Sequence, residues 1–134
     1  MIAAGSALLD TSIVIALARG ELAADDVPEP PDELAVSAVT VAGLHHGVLV
    51  AAPAVLAPRL QTLRFVEESC AVLPVDGLVA MHYGRIAADA RRLRGRRIAL
   101  GDGLIAATAV AHGLPLYTRD RDFDGLAGVA SVIV

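Results

Sequence analysis

Ala7-Leu8-Leu9-Asp10-Thr11-Ser12-Ile13-Val14-Ile15-Ala16-Leu17-Ala18 is the stretch on which the fold turns. Residues 7–9 are a short apolar run, the form taken by a strand buried on both faces. Asp10-Thr11-Ser12 interrupts it with small polar residues, and 13–18 resumes as apolar, helix-compatible sequence closed by Gly20. This predicts strand, polar turn and helix, with Thr11 or Ser12 capping the helix. The unit recurs outward from there. Strands are expected at 34–37, 71–73, 116–118 and 130–134, and helices from Thr40 to about Val50, through the Leu56, Leu60, Leu63 and Cys70 spacing, at 78–93 behind Asp76 as cap, and at 102–112 up to Gly113 and Pro115. Pro53 and Pro58 punctuate the third helical segment. Short apolar strands alternating with helices predict an α/β sandwich with a parallel sheet.

With 134 residues, 55% of them hydrophobic, the chain suits one domain over 1–134 with a sizeable core, and leaves no room for a second. No stretch approaches the roughly 18 uninterrupted apolar residues of a membrane helix. The N-terminus has no basic leader and meets Asp10 early, so no secretory signal is expected. Cys70 is the single cysteine, without an intramolecular partner, which places the protein in a reducing cytoplasm. The net charge of −4 is unevenly spread: residues 1–84 carry 10 acids against 3 arginines, and 85–134 carry 8 arginines against 5 acids. Part of the acidity is the segment 21–33 (ELAADDVPEPPDE), a solvated loop by its three prolines and six acids. The acidic average argues against nucleic-acid binding by the whole surface, while the C-terminal part is locally basic.

In a wound α/β sheet, functional groups gather at the carboxyl ends of the strands. Asp10 follows the first strand, Asp120 and Asp122 follow the fourth, and Asp102 lies in the first turn of the last helix. Each alone is an ordinary cap or turn aspartate. Three separate segments aiming acids at one edge is a different matter, because gathered carboxylates repel unless a cation neutralises them. A hard divalent ion such as Mg²⁺ takes oxygen ligands, and beside a phosphodiester it polarises phosphoryl oxygens and activates water.

Taken in order, 7–12, Ser37-Ala38-Val39-Thr40, 101–109 (GDGLIAATA) and 113–123 (GLPLYTRDRDF) resemble the successive motifs of PIN-domain proteins, and more narrowly the VapC toxins of bacterial toxin–antitoxin pairs. The resemblance covers nearly the whole chain. It implies a PIN-like three-layer sandwich with a short, mostly parallel central sheet flanked by helices, and an Mg²⁺-dependent ribonuclease, with Mn²⁺ as a substitute ion. Asp10, Asp102, Asp120 and Asp122 would then be the catalytic acids, Asp10 and Asp102 the metal ligands, and Ser12 and Thr118 the supporting hydroxyls. It further implies a homodimer, an RNA substrate and a cognate VapB-like antitoxin whose C-terminal segment covers the pocket, with no direct DNA binding without the antitoxin. Apolar helices over 40–50 and 54–69 would offer the grooves for that partner.

The chain departs from the pattern at one position. Where the family has glutamate in a Thr-x-Ala-Glu-Leu stretch, this sequence reads Thr40-Val41-Ala42-Gly43-Leu44. Glycine supplies no ligand and costs a helix about 1 kcal/mol relative to alanine. Gly43 is therefore the lost position of a metal-binding, water-positioning carboxylate, and cleavage is expected to be weak or absent. The alternative is a non-catalytic interaction protein that keeps antitoxin binding.

Other motifs fail on their chemistry. Asp120-Arg121-Asp122-Phe123-Asp124-Gly125 opens like an EF-hand loop, but the twelfth position is Ser131 and a strand precedes it. No second acid two residues after Asp10 makes a D-x-D phosphatase motif, and no Walker lysine exists. His45 and His46, adjacent on a helix, point about 100° apart and cannot share an ion readily. Arg85, Arg91, Arg92, Arg94, Arg96 and Arg97 crowd one helix end, where they suit the helix dipole and, for Arg92, Arg96 and Arg97, contact with RNA phosphates. Phe65, Tyr83, Tyr117 and Phe123 are too few for a base-stacking platform. Cys70 is expected to be a small core residue.

Overall fold

The structure is a computed structural model that describes residues 5–27 and 29–134. Expectations that touch residues 1–4 (the absence of a leader) and Pro28 (part of the 21–33 loop) lie outside the described residues. The elements run β1 (Ser6–Leu9), α1 (Thr11–Ala18), β2 (Glu33–Ser37), α2 (Ala38–Leu49), α3 (Pro53–Ser69), β3 (Cys70–Leu73), α4 (Gly77–Arg94), α5 (Leu100–His112), β4 (Leu116–Thr118) and β5 (Ser131–Ile133), with 3₁₀ turns at Ala24–Asp26 and Arg121–Phe123.

The five strands form one sheet in the order β3-β2-β1-β4-β5, and every pair is parallel. β1 lies at the centre, with Leu8 opposite Ala35 on one side and Leu116 on the other. All four of its residues are buried, as the apolar run Ala7-Leu8-Leu9 requires of a central strand. Side chains alternate across the sheet. Leu8, Ala35 and Leu116 join Val79, Ile86, Ile105 and Ala106 from α4 and α5, whereas Ala7, Leu9 and Val36 join Ile13, Val14 and Val66 from α1 and α3. The result is the three-layer sandwich expected from the sequence. Chain order reverses between β1 and β4, so the chain leaves their paired carboxyl ends toward opposite faces of the sheet and opens a crevice where such sheets bind ligands.

Several local readings are corrected. Asp10, not Thr11 or Ser12, is the N-cap of α1, its carboxylate accepting the Thr11 N–H. Ser37 caps α2 by accepting the Val39 N–H, so that helix starts two residues earlier than expected. Pro53 opens α3 in its first turn, where no helical N–H is needed, and Pro58 lies inside without ending it. The buried stripe of α3 is Thr62, Leu63 and Val66, leaving Leu56 and Leu60 37% and 44% exposed. Cys70 begins the edge strand β3 half-buried, and burial pushes its thiol up to about 11, so it stays neutral and unreactive. Asp76 caps α4 as expected, accepting the Val79 N–H at 3.0 Å. No described helix is long and apolar enough to cross a membrane.

Candidate acidic site at the β1–β4 crevice

Asp10 leaves the sheet directly from β1, its N–H donating to the Tyr117 carbonyl of β4 at 2.9 Å. The residue is 7% exposed, and a carboxylate so placed needs donors. It has three. Oδ1 accepts the Thr11 N–H at 2.8 Å, and Oδ2 accepts the Ser12 hydroxyl at 3.2 Å and the Thr118 hydroxyl at 2.9 Å. Thr118, the fully buried last residue of β4, also accepts the Asp120 N–H at 2.9 Å. One hydroxyl thus ties the acid after β1 to the backbone of the acid after β4. Both supporting residues expected from the sequence, Ser12 and Thr118, are in contact with Asp10.

Asp120 caps the 3₁₀ turn, its Oδ1 accepting the Asp122 N–H at 2.8 Å, and both acids are exposed. Asp102 sits in the first turn of α5, whose N-cap Ala99 offers no side-chain oxygen. Its carboxyl is raised above the ordinary aspartate range, first by burial and then by the charges of Asp10, Asp120 and Asp122. The other three acids chosen from the sequence are therefore near enough to Asp102 to act on it. Among the described residues, no group of three or more His, Cys, Asp or Glu side chains forms a ready-made metal cage. The donor set, all carboxylate oxygens with mutual repulsion at Asp102, fits a hard, hydrated cation that needs one or two protein ligands and keeps its waters.

The raised Asp102 has a consequence for stability. The native state holds this proton more tightly than the unfolded chain does, so the group's contribution falls as pH rises from the unfolded value through the native one. Asp102→Asn is expected to raise the unfolding temperature at pH 7 by about 1–2 °C. The gain should vanish in acid, where the parent carboxyl is protonated too. Equal melting curves at neutral pH would mean that the four charges do not meet.

Gly43 is exposed on α2, and a Cβ added there meets nothing within 4 Å. One turn earlier, the buried Thr40 shares a hydrogen bond with the Thr11 hydroxyl at 3.2 Å, and Val39 lies 3.8 Å from where a Gly101 Cβ would stand. Residues 39, 40 and 43 share a helix face, so a side chain at 43 would stand on the face that Thr40 turns toward Thr11. Thr40 was given no role from sequence, since its partner is 29 residues away.

A cleft of about 220 Å³ adjoins the acids, lined by Arg96, Arg97, Ile98, Ala99, Asp102, Asp122 and Phe123. Arg96 and Arg97 are on its wall, and Arg92 is not. His45 and His46 are both exposed, and Phe123 and Tyr117 are core residues. The Ser131 hydroxyl donates to Asp124 at 2.9 Å, closing the 124–131 turn where an EF-hand would need a bidentate glutamate.

The sequence matches the PIN domain family over residues 7–129. It is 41% identical over 126 residues to the ribonuclease VapC5 of Mycobacterium tuberculosis, covering 93% of this chain and 90% of that protein. It is 37% identical over 132 residues to the VapC ribonuclease Y4jK of Sinorhizobium fredii, covering 91% and 92%. The crystal structure of VapBC-5, a member of the VapBC family of toxin–antitoxin systems from M. tuberculosis, superposes with a TM-score of 0.79 at 36% identity, covering 97% of this chain and 99% of that one.

Proposed function

Since the chain belongs to the PIN domain family and is of the VapC type, we propose that it is a toxin-class endoribonuclease whose acidic site lies at the β1–β4 crevice and is weakened by Gly43. The observation that carries this reading is the hydrogen-bond chain from Asp10 through the Thr118 hydroxyl to Asp120, beside a cleft that Asp102 and Asp122 line together. Asp10 and Asp102 would hold Mg²⁺, or Mn²⁺ in its place. When bound, such an ion polarises phosphoryl oxygens and favours the hydroxide form of water.

The chain's own residues have distinct tasks. Thr11, Ser12 and Thr118 fix the Asp10 carboxylate so that its remaining lone pairs face the crevice. Asp120 keeps Oδ2 for an incoming water, since Oδ1 is engaged with Asp122. Arg97 and Arg96 bring positive charge to the cleft wall, where an RNA phosphate would lie next to the acids. A glutamate at position 43 would orient the attacking water, and its absence slows in-line attack.

VapC relatives of known structure occur with antitoxins, and this chain is taken to have a VapB-like partner and to form a homodimer in the cytoplasm. Exposed Leu60, with Ala18, Ala57 and Phe65, lines a cleft of about 490 Å³ between α1 and α3 into which an amphipathic helix would fit. Gly43 also favours a second reading, a non-catalytic protein that binds the antitoxin without cleaving RNA. An adjacent reading frame for a small DNA-binding protein would suit both; metal-dependent cleavage suits only the first.

The direct test is calorimetric titration of the purified chain with Mn²⁺ at neutral pH. Saturable binding that Mg²⁺ competes away is expected, and absence of binding would overturn the metal assignment.

A further inference from the structure

Arg94 and Arg96 stand on either side of Gly95, whose left-handed conformation (φ 61°) ends α4 and turns the chain. Both reach the same segment. Arg94 Nη1 donates to the Asp124 carbonyl at 2.8 Å. Arg96 Nη2 donates to the Asp122 carbonyl, and its Nη1 lies 3.6 Å from Asp122 Oδ1. Resting on the assignment of Asp120 and Asp122 to the acidic site, we propose that Arg94 and Arg96 are positioning residues, a two-point clasp on the 120–126 backbone that keeps those acids at the mouth of the Asp102 cleft.

Two further observations carry the same conclusion. Gly125, next to the gripped Asp124, has φ +72°, and a Cβ there would stand 1.8 Å from Arg94 Nη2 and 2.8 Å from its Cζ. Glycine at 125 thus serves both the backbone turn and the close approach of the guanidinium. The Arg96 side chain is 31% exposed against 80% for Asp122, and its Nε is shielded from water with no hydrogen-bond partner among the described residues. An arginine drawn in far enough to leave one nitrogen unpaired is held by its other two. Those two nitrogens are already engaged, which leaves Arg97, not Arg96, as the guanidinium on this cleft with no ion pair among the described residues.

The clasp is tested without relying on catalysis. ¹⁵N relaxation is measured on the parent, Arg94→Ala, Arg96→Ala and Arg96→Lys, each also titrated with Mn²⁺ while the Asp102 and Asp120 amide resonances are followed. The expected result is a fall in order parameter over 121–125 from about 0.85 to below about 0.6 in both alanine variants, with β1 and α5 unchanged. Arg96→Lys should recover part of the rigidity, because an ammonium keeps the charge but lacks the planar fork that meets the carbonyl and the carboxylate from two separate nitrogens. Mn²⁺ should be needed at several-fold higher concentration in Arg96→Ala. A rigid 121–125 in both alanine variants overturns the clasp whatever Mn²⁺ does. A loosened segment with no Mn²⁺ response in any protein upholds the clasp and removes the metal reading. Arg94, on the surface, keeps the test available should Arg96→Ala fold poorly.

Discussion

Gly43→Glu is expected to raise Mg²⁺-dependent RNA cleavage by about 10²–10⁴-fold, the range typical of a positioned acid–base group. The helix accepts the change readily. A Cβ at 43 meets nothing within 4 Å, and replacing glycine in a helix interior recovers up to about 1 kcal/mol of propensity. Against that gain stands a further negative charge beside Asp10 and Asp102. Melting temperature should therefore change little without metal and rise when Mg²⁺ is added, since the cation offsets the added repulsion. Gly43→Gln separates the two effects, giving the helix its side chain without the charge, and should leave cleavage at the parent level. If Gly43→Glu cleaves no faster than the parent, the lost carboxylate is not what limits this site. If the parent already cleaves at the speed of the variant, another group is positioning the water.

Asp10→Asn should have the second large effect, in binding and in stability together. Three donors face the Asp10 carboxylate: the Thr11 N–H at one oxygen, and the Ser12 and Thr118 hydroxyls at the other. An amide nitrogen cannot accept. Placed at the Thr11 side it sets N–H against N–H; placed at the other it forces both hydroxyls to reorient, including the one that accepts the Asp120 N–H. A cost of about 1–2 kcal/mol is expected in chemical unfolding. Mn²⁺ affinity should fall by about 100-fold or more, beyond the 10–100-fold typical of losing only a supporting hydrogen bond. Unchanged Mn²⁺ binding would remove Asp10 from the ligand set.

The parts legible in sequence are those decided by local chemistry. β1 and β4 show as short apolar runs because they are buried on both faces, and Asp76 lies at a helix start where aspartate caps. What stayed hidden depends on partners without residue identity. Arg94 and Arg96 grip backbone carbonyls, and any residue supplies a carbonyl, so nothing in the sequence pairs 94 with 124 or 96 with 122. The Thr11–Thr40 contact joins hydroxyls on two helices, which no local pattern connects. The face of α3 was misread because the leucine spacing 56, 60, 63 is helical in either orientation. Packing against β1's neighbours chose Leu63 and Val66 over Leu56 and Leu60.

The order of the strands also sets when the site comes into being. Asp10 leaves the ribosome well before its Thr118 partner, which lies 108 positions later. β1 pairs with β2 within one short excursion of the chain, but its other edge stays unoccupied until β4 arrives. A nascent chain that has emerged only as far as α5 holds Asp10 and Asp102 without the strand that aligns them. Since non-local pairs form late, Asp120 and Asp122 take their places only after β4 has emerged. The fold carries its own delay, and a translating ribosome would be beside an assembled site only once β4 has cleared the exit tunnel.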